Sequence, residues 1–303
     1  MLFNLKNQIG RKLFDRNCRH VLMAPQTQIA TSSNTLVISQ LQHKDVVMYL
    51  VAIKTFASKV QIGSVLILDD GSLDKNDHAI LREHIPGASI ESIERYRSKR
   101  CPNGGCWERL LAIAEHTNKN YVIQLDSDTL SIGELPEVCA AAANNVSFAL
   151  GTWDGQQVES FLARAADAKR LNPEPVCHIQ VTAEKAFDKV PGHEQLHYVR
   201  GCAGFSGFAR NSISKHFIED FSEHMYAIIG NRWNEWGSEQ LMSNVVLANS
   251  APMTVLPHPR YADCNHHQNG LTTFIHFIGD CRFQGSAYRK KSAIKISELI
   301  QGI

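Results

Sequence analysis

Two aspartates, Asp126 and Asp128, directly follow an apolar, β-prone run at Tyr121 to Leu125. Side chains two residues apart in an extended segment point to the same side, so both carboxylates can face one ion. Two buried carboxylates repel each other, and a divalent cation or a shared proton relieves that repulsion. Hard oxygen ligands favour Mg²⁺ or Mn²⁺, which usually keep bonds to substrate phosphates. The pair therefore predicts a metal site for phosphate chemistry, against the plainer interpretation of a strand that ends in a polar turn.

A second acidic pair, Asp69 and Asp70, follows the apolar run at 65–68. Gly71 allows a tight turn, and Asp74 can cap the helix that comes next. Carboxylates at this position can accept hydrogen bonds from ribose hydroxyls or from a base N–H. Turn chemistry alone explains the glycine and the cap, but it does not require two adjacent aspartates. We therefore expect Asp69 and Asp70 to bind a nucleoside.

The elements that position these acids alternate in a β/α rhythm. Apolar strands between amphipathic helices imply a parallel sheet with both faces covered, and ligands of such sheets bind beyond the carboxyl ends of the strands. Both acidic pairs lie at such ends. The pattern predicts strands at 35–39, 64–68, 89–93 and 121–125, with helices at 45–58, 73–84 and 106–116.

The second half of the chain is less regular. Its segment at 173–196 contains proline and histidine and predicts an irregular excursion, and 201–209 is glycine-rich and then apolar. The pattern predicts strands at 148–152, 254–256 and 271–278, and helices at 158–172, 211–228 and 237–248.

Composition narrows the class of protein. The chain has 303 residues, 44% of them hydrophobic and 20% charged, which is ordinary for a globular protein with a large core. A net charge of +1 provides no case for nucleic acid binding. The 8 cysteines form no Cys-x-x-Cys pair, so we expect reduced thiols and no zinc site. The first 20 residues lack a signal-peptide core, and the apolar run at 46–57 is too short to span a bilayer, which together predict a cytoplasmic location.

The two acidic motifs resemble those of a known family. Asp-Asp-Gly-Ser-x-Asp at 69–74 closely resembles the nucleotide-binding signature of GT-A-fold glycosyltransferases, especially the large family with many inverting enzymes, and Asp126-Ser-Asp128 resembles their Asp-x-Asp motif. The resemblance implies an α/β fold of the GT-A, Rossmann-like kind, with a mixed, mainly parallel sheet sandwiched by helices. It also implies that Asp69 and Asp70 contact the nucleoside. Asp126 and Asp128 would hold the metal that bridges the donor's diphosphate.

Three later segments are similar to the same fold. The glycine-rich strand around Gly204 resembles the one that approaches the donor sugar. Glu239, after two tryptophans, matches the acidic motif that opens the acceptor-site helix, where it would act as general base or position the sugar. His276-x-x-Gly-x-x-Arg282 resembles the His-x-x-Gly-x-x-Lys ending of glycogenin-like transferases. That resemblance implies that His276 is a third metal ligand and that Arg282 contacts phosphate.

Two basic segments fall outside these motifs. Lys99 and Arg100 precede a predicted helix and can neutralise a diphosphate there, or they belong to an ordinary solvated charge run. The basic amphipathic tail at 285–303 can make a weak contact with a membrane surface, or it is an ordinary surface helix.

The sequence therefore predicts a metal-dependent glycosyltransferase of the hexosyltransferase class. It would use Mn²⁺ or Mg²⁺ to move a sugar from a nucleoside diphosphate sugar to a hydroxyl acceptor, which could be a glycan, a lipid-linked or a small molecule. The predicted organisation is an N-terminal helix and linker at 1–33, a nucleotide-binding half at 34–130, an acceptor-binding half at 131–284 and the tail at 285–303.

Three alternatives remain open at this point. Leu-Asp126-Ser-Asp128-Thr also fits the nucleophile motif of haloacid-dehalogenase-type phosphatases, in which Asp126 would attack phosphorus. A sugar nucleotidyltransferase shares the expected architecture. A non-catalytic nucleotide-sugar-binding protein is the third alternative.

Overall fold

The computed structural model describes residues 2–303 except 176, 251 and 280. Its strands are β1 (Thr35–Leu41), β2 (Ser64–Asp69), β3 (Ser89–Ser92), β4 (Tyr121–Leu125), β5 (Thr129–Ser131), β6 (Ser147–Leu150), β7 (Glu159–Ser160), β8 (His197–Tyr198), β9 (Cys202–Phe208), β10 (Met253–Val255), β11 (Tyr261–Asp263) and β12 (Phe274–His276). A seven-stranded central sheet runs in the order β10-β6-β9-β4-β1-β2-β3, and β11-β12-β5 and β7-β8 form two smaller sheets.

Most neighbours in the central sheet are parallel, as the β/α rhythm predicts. β1 pairs in parallel with β2 and β4, and the β2–β3 and β10–β6 pairs are parallel too. Only β9 among the described strands of this sheet runs the other way, between β4 and β6. The predicted α/β class with a mixed, mainly parallel sheet is confirmed.

Helices cover both faces of this sheet. They are α1 (Leu2–Cys18), α2 (Val46–Ala57), α3 (Lys75–His84), α4 (Trp107–His116), α5 (Pro136–Asn144), α6 (Phe161–Leu171), α7 (Ile179–Lys185), α8 (Lys215–Ile229), α9 (Ser238–Ala248) and α10 (Ala287–Gln301). Alternate strand residues point to opposite faces, so Val37 joins the core beneath α2 while its neighbour Ile38 joins the core beneath α4.

The ends of the chain pack against each other. Phe14 of α1 lies against Tyr288 of α10, with ring centroids 4.4 Å apart, and both rings are buried. The tail at 285–303 is therefore anchored to the core by one face of α10. Its contact with a membrane stays a prediction, as do the four-part organisation and the cytoplasmic location. Among the described residues, no helix combines the length and the hydropathy needed to cross a bilayer.

The small sheet β11-β12-β5 is the feature that the sequence pattern did not predict in this form. The pattern at 271–278 predicts a strand, but no element is predicted for the stretches that contain β5, β11 and α5. Three-residue strands such as β5 and β11 carry too little periodicity to detect. α7 likewise lies inside the segment at 173–196 that was expected to be irregular.

The expectation of reduced thiols is wrong for two cysteines. Cys264 and Cys281 form a disulfide in the structure, while the other six are free. They lie 17 residues apart and carry no sequence signature for pairing. The bond closes a loop that contains β12, and Arg282 follows it directly.

Candidate active site

The predicted metal ligands lie together at the carboxyl end of β4. Asp126 and Asp128 occupy a turn between β4 and β5, in which the Thr129 N–H donates to the Asp126 carbonyl at 3.3 Å. β12 pairs antiparallel with β5, and this register sets His276 opposite Thr129. The ligand atoms of Asp126, Asp128 and His276 all lie within 4.8 Å of one another. A turn, rather than the extended segment that we expected, aims both carboxylates at one point.

This donor set suits a divalent cation of the Mn²⁺ or Mg²⁺ kind. Nε2 of His276 lies 3.2 Å from Asp128 Oδ1 and 4.0 Å from Asp126 Oδ2. Two carboxylates and one imidazole provide hard oxygen ligands and a borderline nitrogen. His276 and Asp128 are buried, which leaves Asp126 as the more exposed member.

His276 is held in place by β9. Its Nδ1 lies 3.0 Å from Cys202 Sγ, so one ring nitrogen contacts the thiol while the other faces the carboxylates. A Cβ atom on Gly204 would lie 1.9 Å from His276 Cε1. Gly204 therefore provides the space that the imidazole ring occupies. Its predicted contact with the donor sugar stays a prediction, although it lines the same cavity.

Two arginines neutralise the aspartates. Arg282 pairs with Asp128 and also donates from Nε to the Phe277 carbonyl at 3.1 Å. Arg109, which is 4% exposed on α4, pairs with Asp126. Burial by itself would raise the pKa of Asp128, but the charges of His276 and Arg282 lower it to about 2. Burial opposes the charge on His276, while Cys202 and Asp128 beside it raise its pKa well above the usual value.

Glu239 lies at the start of α9 and faces the same group. Its Oε2 is 3.6 Å from Arg109 Nη2, so one guanidinium lies between Asp126 and Glu239. Oε1 is buried and has no hydrogen-bond partner among the described residues. Burial raises the pKa of Glu239 to about 7, with Arg109 opposing the shift and Asp126 adding to it. A carboxylate with such a pKa can exchange a proton near neutral pH.

These groups line a single cavity of about 320 Å³. It brings together the predicted residues Asp126, Asp128, Gly204, Glu239, His276 and Arg282. Sequence analysis missed other residues that line it, namely Cys106, Arg109, Cys202 and Asp263. The need for a partner at Arg109 follows from the burial of α4 from 107 to 114, which the structure shows and the sequence does not.

The other predicted residues lie outside this cavity. Asp69 and Asp70 end β2 at the same edge of the sheet, where each accepts a backbone N–H two residues on, at 2.8 and 3.0 Å. The turn therefore uses one carboxylate oxygen of each aspartate. We expected that a turn alone would not require two adjacent aspartates, and this expectation is wrong. Asp69 also lines a separate hollow with His78 and Arg82. The nucleoside contact of this pair stays a prediction.

Lys99 and Arg100 do not reach the cavity either. Arg100 binds acidic side chains of α8, with Nε 2.7 Å from Glu223 Oε1 and Nη2 2.5 Å from Asp220 Oδ1. Lys99 is exposed. In this structure Arg100 pairs with α8, and the diphosphate contact predicted for the basic segment has no support from the geometry.

The fold and the site together define a GT-A-fold glycosyltransferase. Residues 61–214 match the sequence model of glycosyl transferase family 2, and this match covers half of the chain. The chain belongs to glycosyl transferase family 2. This match confirms the predicted family resemblance and enzyme class. It does not support the three alternatives, namely a phosphatase, a nucleotidyltransferase and a non-catalytic binding protein.

One solved structure shares this fold. The bifunctional glycosyltransferase WbbM superposes with a TM-score of 0.51 at 12% identity, covering 90% of this chain and 53% of that one. This chain therefore spans about half the length of WbbM. Core-mannan synthase A (CmsA/Ktr4) from Aspergillus fumigatus, in its Mn/GDP form, gives a TM-score of 0.46 at 9% identity, covering 90% of this chain and 87% of that one. No curated protein sequence matches the chain.

We expect Gly204→Ala to destabilise the protein through the His276 ring. The added methyl would overlap the imidazole, and overpacking of this kind costs about 1–3 kcal/mol. In the double variant Gly204→Ala/His276→Ala the ring is gone, so the added methyl should cost much less. Urea unfolding of the four proteins of this cycle measures the coupling. An equal cost in both backgrounds would show that His276 does not occupy this space.

We expect Glu239→Gln to alter stability with a defined pH window. In the folded protein Glu239 keeps its proton up to about pH 7, whereas in the unfolded chain it ionises near its ordinary pKa of 4.5. The contribution of Glu239 to the free energy of unfolding is therefore fully present below pH 4.5 and is lost as the pH rises to 7. The glutamine variant does not lose this contribution. Its free energy of unfolding should therefore increase relative to that of wild type by about 1–3 kcal/mol across that pH range and then stay constant.

Glu235→Gln is the matched control for this pH experiment, measured with a chelator present. Glu235 is exposed beside Arg232, which lowers its pKa, so its contribution has the opposite sign and is lost as the pH falls. If the free energy of unfolding of both variants changes with pH from 4.5 to 8 as that of wild type does, Glu239 does not have the raised pKa that its burial implies.

Proposed function

We propose that this glycosyltransferase moves a sugar from a nucleoside diphosphate sugar to a hydroxyl acceptor, with Mn²⁺ or Mg²⁺ bound by Asp126, Asp128 and His276. The observation that supports this most is the cavity itself. It combines three converging metal-ligand side chains with a buried carboxylate whose pKa lies near 7. Bound there, the metal would supply Lewis-acid stabilisation of the leaving diphosphate.

The residues of the chain supply the other parts of the reaction. Arg282 follows the disulfide on a short helical turn, is partly exposed and carries a charge that can pair with a phosphate oxygen. In the structure it pairs with Asp128, and a cation would compete with it for that carboxylate. Arg282 is therefore suited to exchange its carboxylate partner for the donor's phosphates when the donor and the metal arrive together.

Glu239 is the general base in this proposal. Its unpartnered Oε1 can accept a hydrogen bond from the acceptor hydroxyl and then take its proton at physiological pH. Arg109 touches both Glu239 and Asp126 and so orients the base relative to the metal ligands. A base in this position favours attack by the acceptor with inversion at the sugar carbon. Asp69 and Asp70, at the same sheet edge, would contact the nucleoside.

We expect Asp126→Asn and Asp128→Asn to abolish the Mn²⁺-dependent binding of nucleoside diphosphates, a loss of at least about 100-fold, since each removes a charged ligand. His276→Ala should weaken binding by about tenfold, because water can replace one neutral ligand. Isothermal titration of UDP, GDP and ADP with and without Mn²⁺ measures this. Unchanged metal-dependent affinity in both asparagine variants would refute the metal site.

A second group of ligand-type side chains provides the control for this titration. His43, Asp74 and Asp77 also converge within 4.8 Å, at the start of α3. Asp74→Asn removes a charge there and keeps a residue that can cap the helix. This variant should bind metal and nucleotide as wild type does. Loss of binding in Asp74→Asn alone would move the metal to that group.

We expect Glu239→Gln to leave donor affinity nearly intact and to cut sugar transfer by about 10²–10⁴-fold, the usual effect of losing a general base. Transfer is measured with the sugar nucleotide that the wild type hydrolyses, and NMR of the product reports the anomeric configuration. Full activity in the variant, or product with retained configuration, would contradict the role of Glu239.

A further inference from the structure

A second cavity lies between the segment at 25–28 and the ends of α2 and α10. Its volume is about 410 Å³, and none of its described lining residues also lines the candidate active site. The charged side chains of this lining are Lys54, Lys59, Lys295 and Glu298. Three lysines against one glutamate give these side chains a net charge of +2. The cavity is therefore a separate, positively charged hollow that the proposed reaction does not use.

Among the described residues, Lys54 is the one lysine of this cavity that forms no ion pair. Nζ of Lys59 lies 2.7 Å from Glu134 Oε1, and Nζ of Lys295 lies 2.7 Å from Glu298 Oε2. Those two lysines are partly exposed, whereas Lys54 is only 3% exposed. The most deeply buried charge of the cavity is thus the one that no carboxylate of the described chain neutralises.

The amine of Lys54 is held by backbone carbonyls. Its Nζ donates to the Ala24 carbonyl at 3.3 Å and to the Pro25 carbonyl. An ammonium group has three N–H bonds, and the third has no acceptor among the described residues. Burial lowers the pKa of Lys54 to about 8, so most of these amines are still charged at neutral pH. A buried charge that only carbonyl dipoles compensate is costly, and an anion in the cavity would offset that cost.

Within the described part of the chain, two buried hydroxyls of the same lining also lack a hydrogen-bond partner. They are Thr27 Oγ1 and Ser131 Oγ, although most buried polar side-chain atoms in proteins have a partner. The Ser131 N–H donates to Thr55 Oγ1 at 3.4 Å, which holds β5 beside the residue that follows Lys54. The uncompensated charge and the unpaired hydroxyls indicate the same kind of ligand, an anion with several acceptor oxygens.

We propose that this cavity binds phosphate, either free or as the monoester of a small molecule, with Lys54 as its buried counter-charge. A phosphate monoester carries about −1.5 to −2 charges at pH 7 and three strong acceptor oxygens, which matches the side-chain charge of +2. A monocarboxylate would leave part of that charge uncompensated. A volume of about 410 Å³ also leaves room for an organic group on the phosphate. The site is independent of the proposed function, since the two cavities share no described lining residue.

Isothermal titration of the full chain at neutral pH tests this site, with a chelator present so that no metal binds the phosphate. The titrants are inorganic phosphate and glycerol 2-phosphate, at constant ionic strength in chloride. Wild type should bind at least one of them. Lys54→Met removes the charge but keeps a long unbranched side chain, and it should weaken binding by at least about tenfold. Ser131→Ala removes one hydroxyl and should weaken binding by about 2–10-fold.

Lys119→Met is the matched control for the loss of a lysine. Lys119 is exposed and is not among the described residues that line this cavity. Arg282→Gln is the control for the candidate active site, where an arginine could also bind phosphate. Both variants should bind the titrants as wild type does. Melting temperatures verify that each variant is folded, and Ser131→Ala keeps the test decisive if Lys54→Met does not fold.

Three results overturn the inference. One is that wild type binds neither titrant. Another is that folded Lys54→Met, or Ser131→Ala in its place, binds as wild type does. The third is that binding is lost in Arg282→Gln and kept in Lys54→Met, which places the anion at the candidate active site. If the predicted losses are seen, binding of glycerol 2-phosphate alone identifies an organic phosphate as the ligand, and binding of both identifies the phosphate group itself.

Mn²⁺-dependent nucleotide binding is measured on the same variants. Lys54→Met should bind nucleotide as wild type does, because the metal ligands lie in the other cavity. Failure of the phosphate site therefore leaves the proposed function intact, and failure of metal-dependent nucleotide binding leaves the phosphate site intact.

Discussion

Three carboxylates share one cavity: Asp126, Asp128 and Glu239. Burial there destabilises their negative charge, and the positive charges of Arg109 and Arg282 offset this cost. Moving carboxylates out of water costs several kcal/mol each unless cations or hydrogen bonds compensate. Arg109 compensates Asp126 and, at a longer distance, Glu239, while Arg282 and His276 compensate Asp128. The compensation is incomplete at Glu239, where burial still raises the pKa to about 7. Asp128, beside His276 and Arg282, therefore has a lowered pKa, whereas Glu239 can exchange a proton near neutral pH.

The topology explains why these charges meet. Asp126 and Asp128 follow β4, at the centre of the sheet, and Glu239 opens α9 far along the chain. His276 arrives on β12, which is held by its pairing with β5, directly after the aspartates. β9 lies antiparallel beside β4, and its Cys202 and Gly204 shape the space around His276. The antiparallel strand is thus part of the support for the predicted metal ligand as well as part of the core.

In the proposed function, both substrates would bind in this one cavity. Arg282 and the metal bound by the predicted ligands would neutralise the donor's diphosphate, and Glu239 lies at the start of α9 in the same cavity. Glycosyl transferase family 2 membership defines the reaction class, and the geometry adds which side chains can carry each part of it.

The sequence by itself determined the fold class and most strands and helices of the first half, and it singled out Asp126, Asp128, Glu239 and His276, which the structure brings together in one cavity. These follow from local signals, namely apolar runs, acidic pairs at strand ends and family motifs. Only the tertiary structure decided which partners the other charged and polar side chains have. Arg100 lies in a basic run like many others, yet its distant neighbours on α8 take it away from the site. Arg109 and Cys202 carry no motif, yet they contact Asp126 and His276 because a sheet and its crossovers bring distant residues together. Arg109 and Asp126 are 17 positions apart and Cys202 and His276 are 74 apart, so both contacts depend on register and packing, about which local periodicity contains no information.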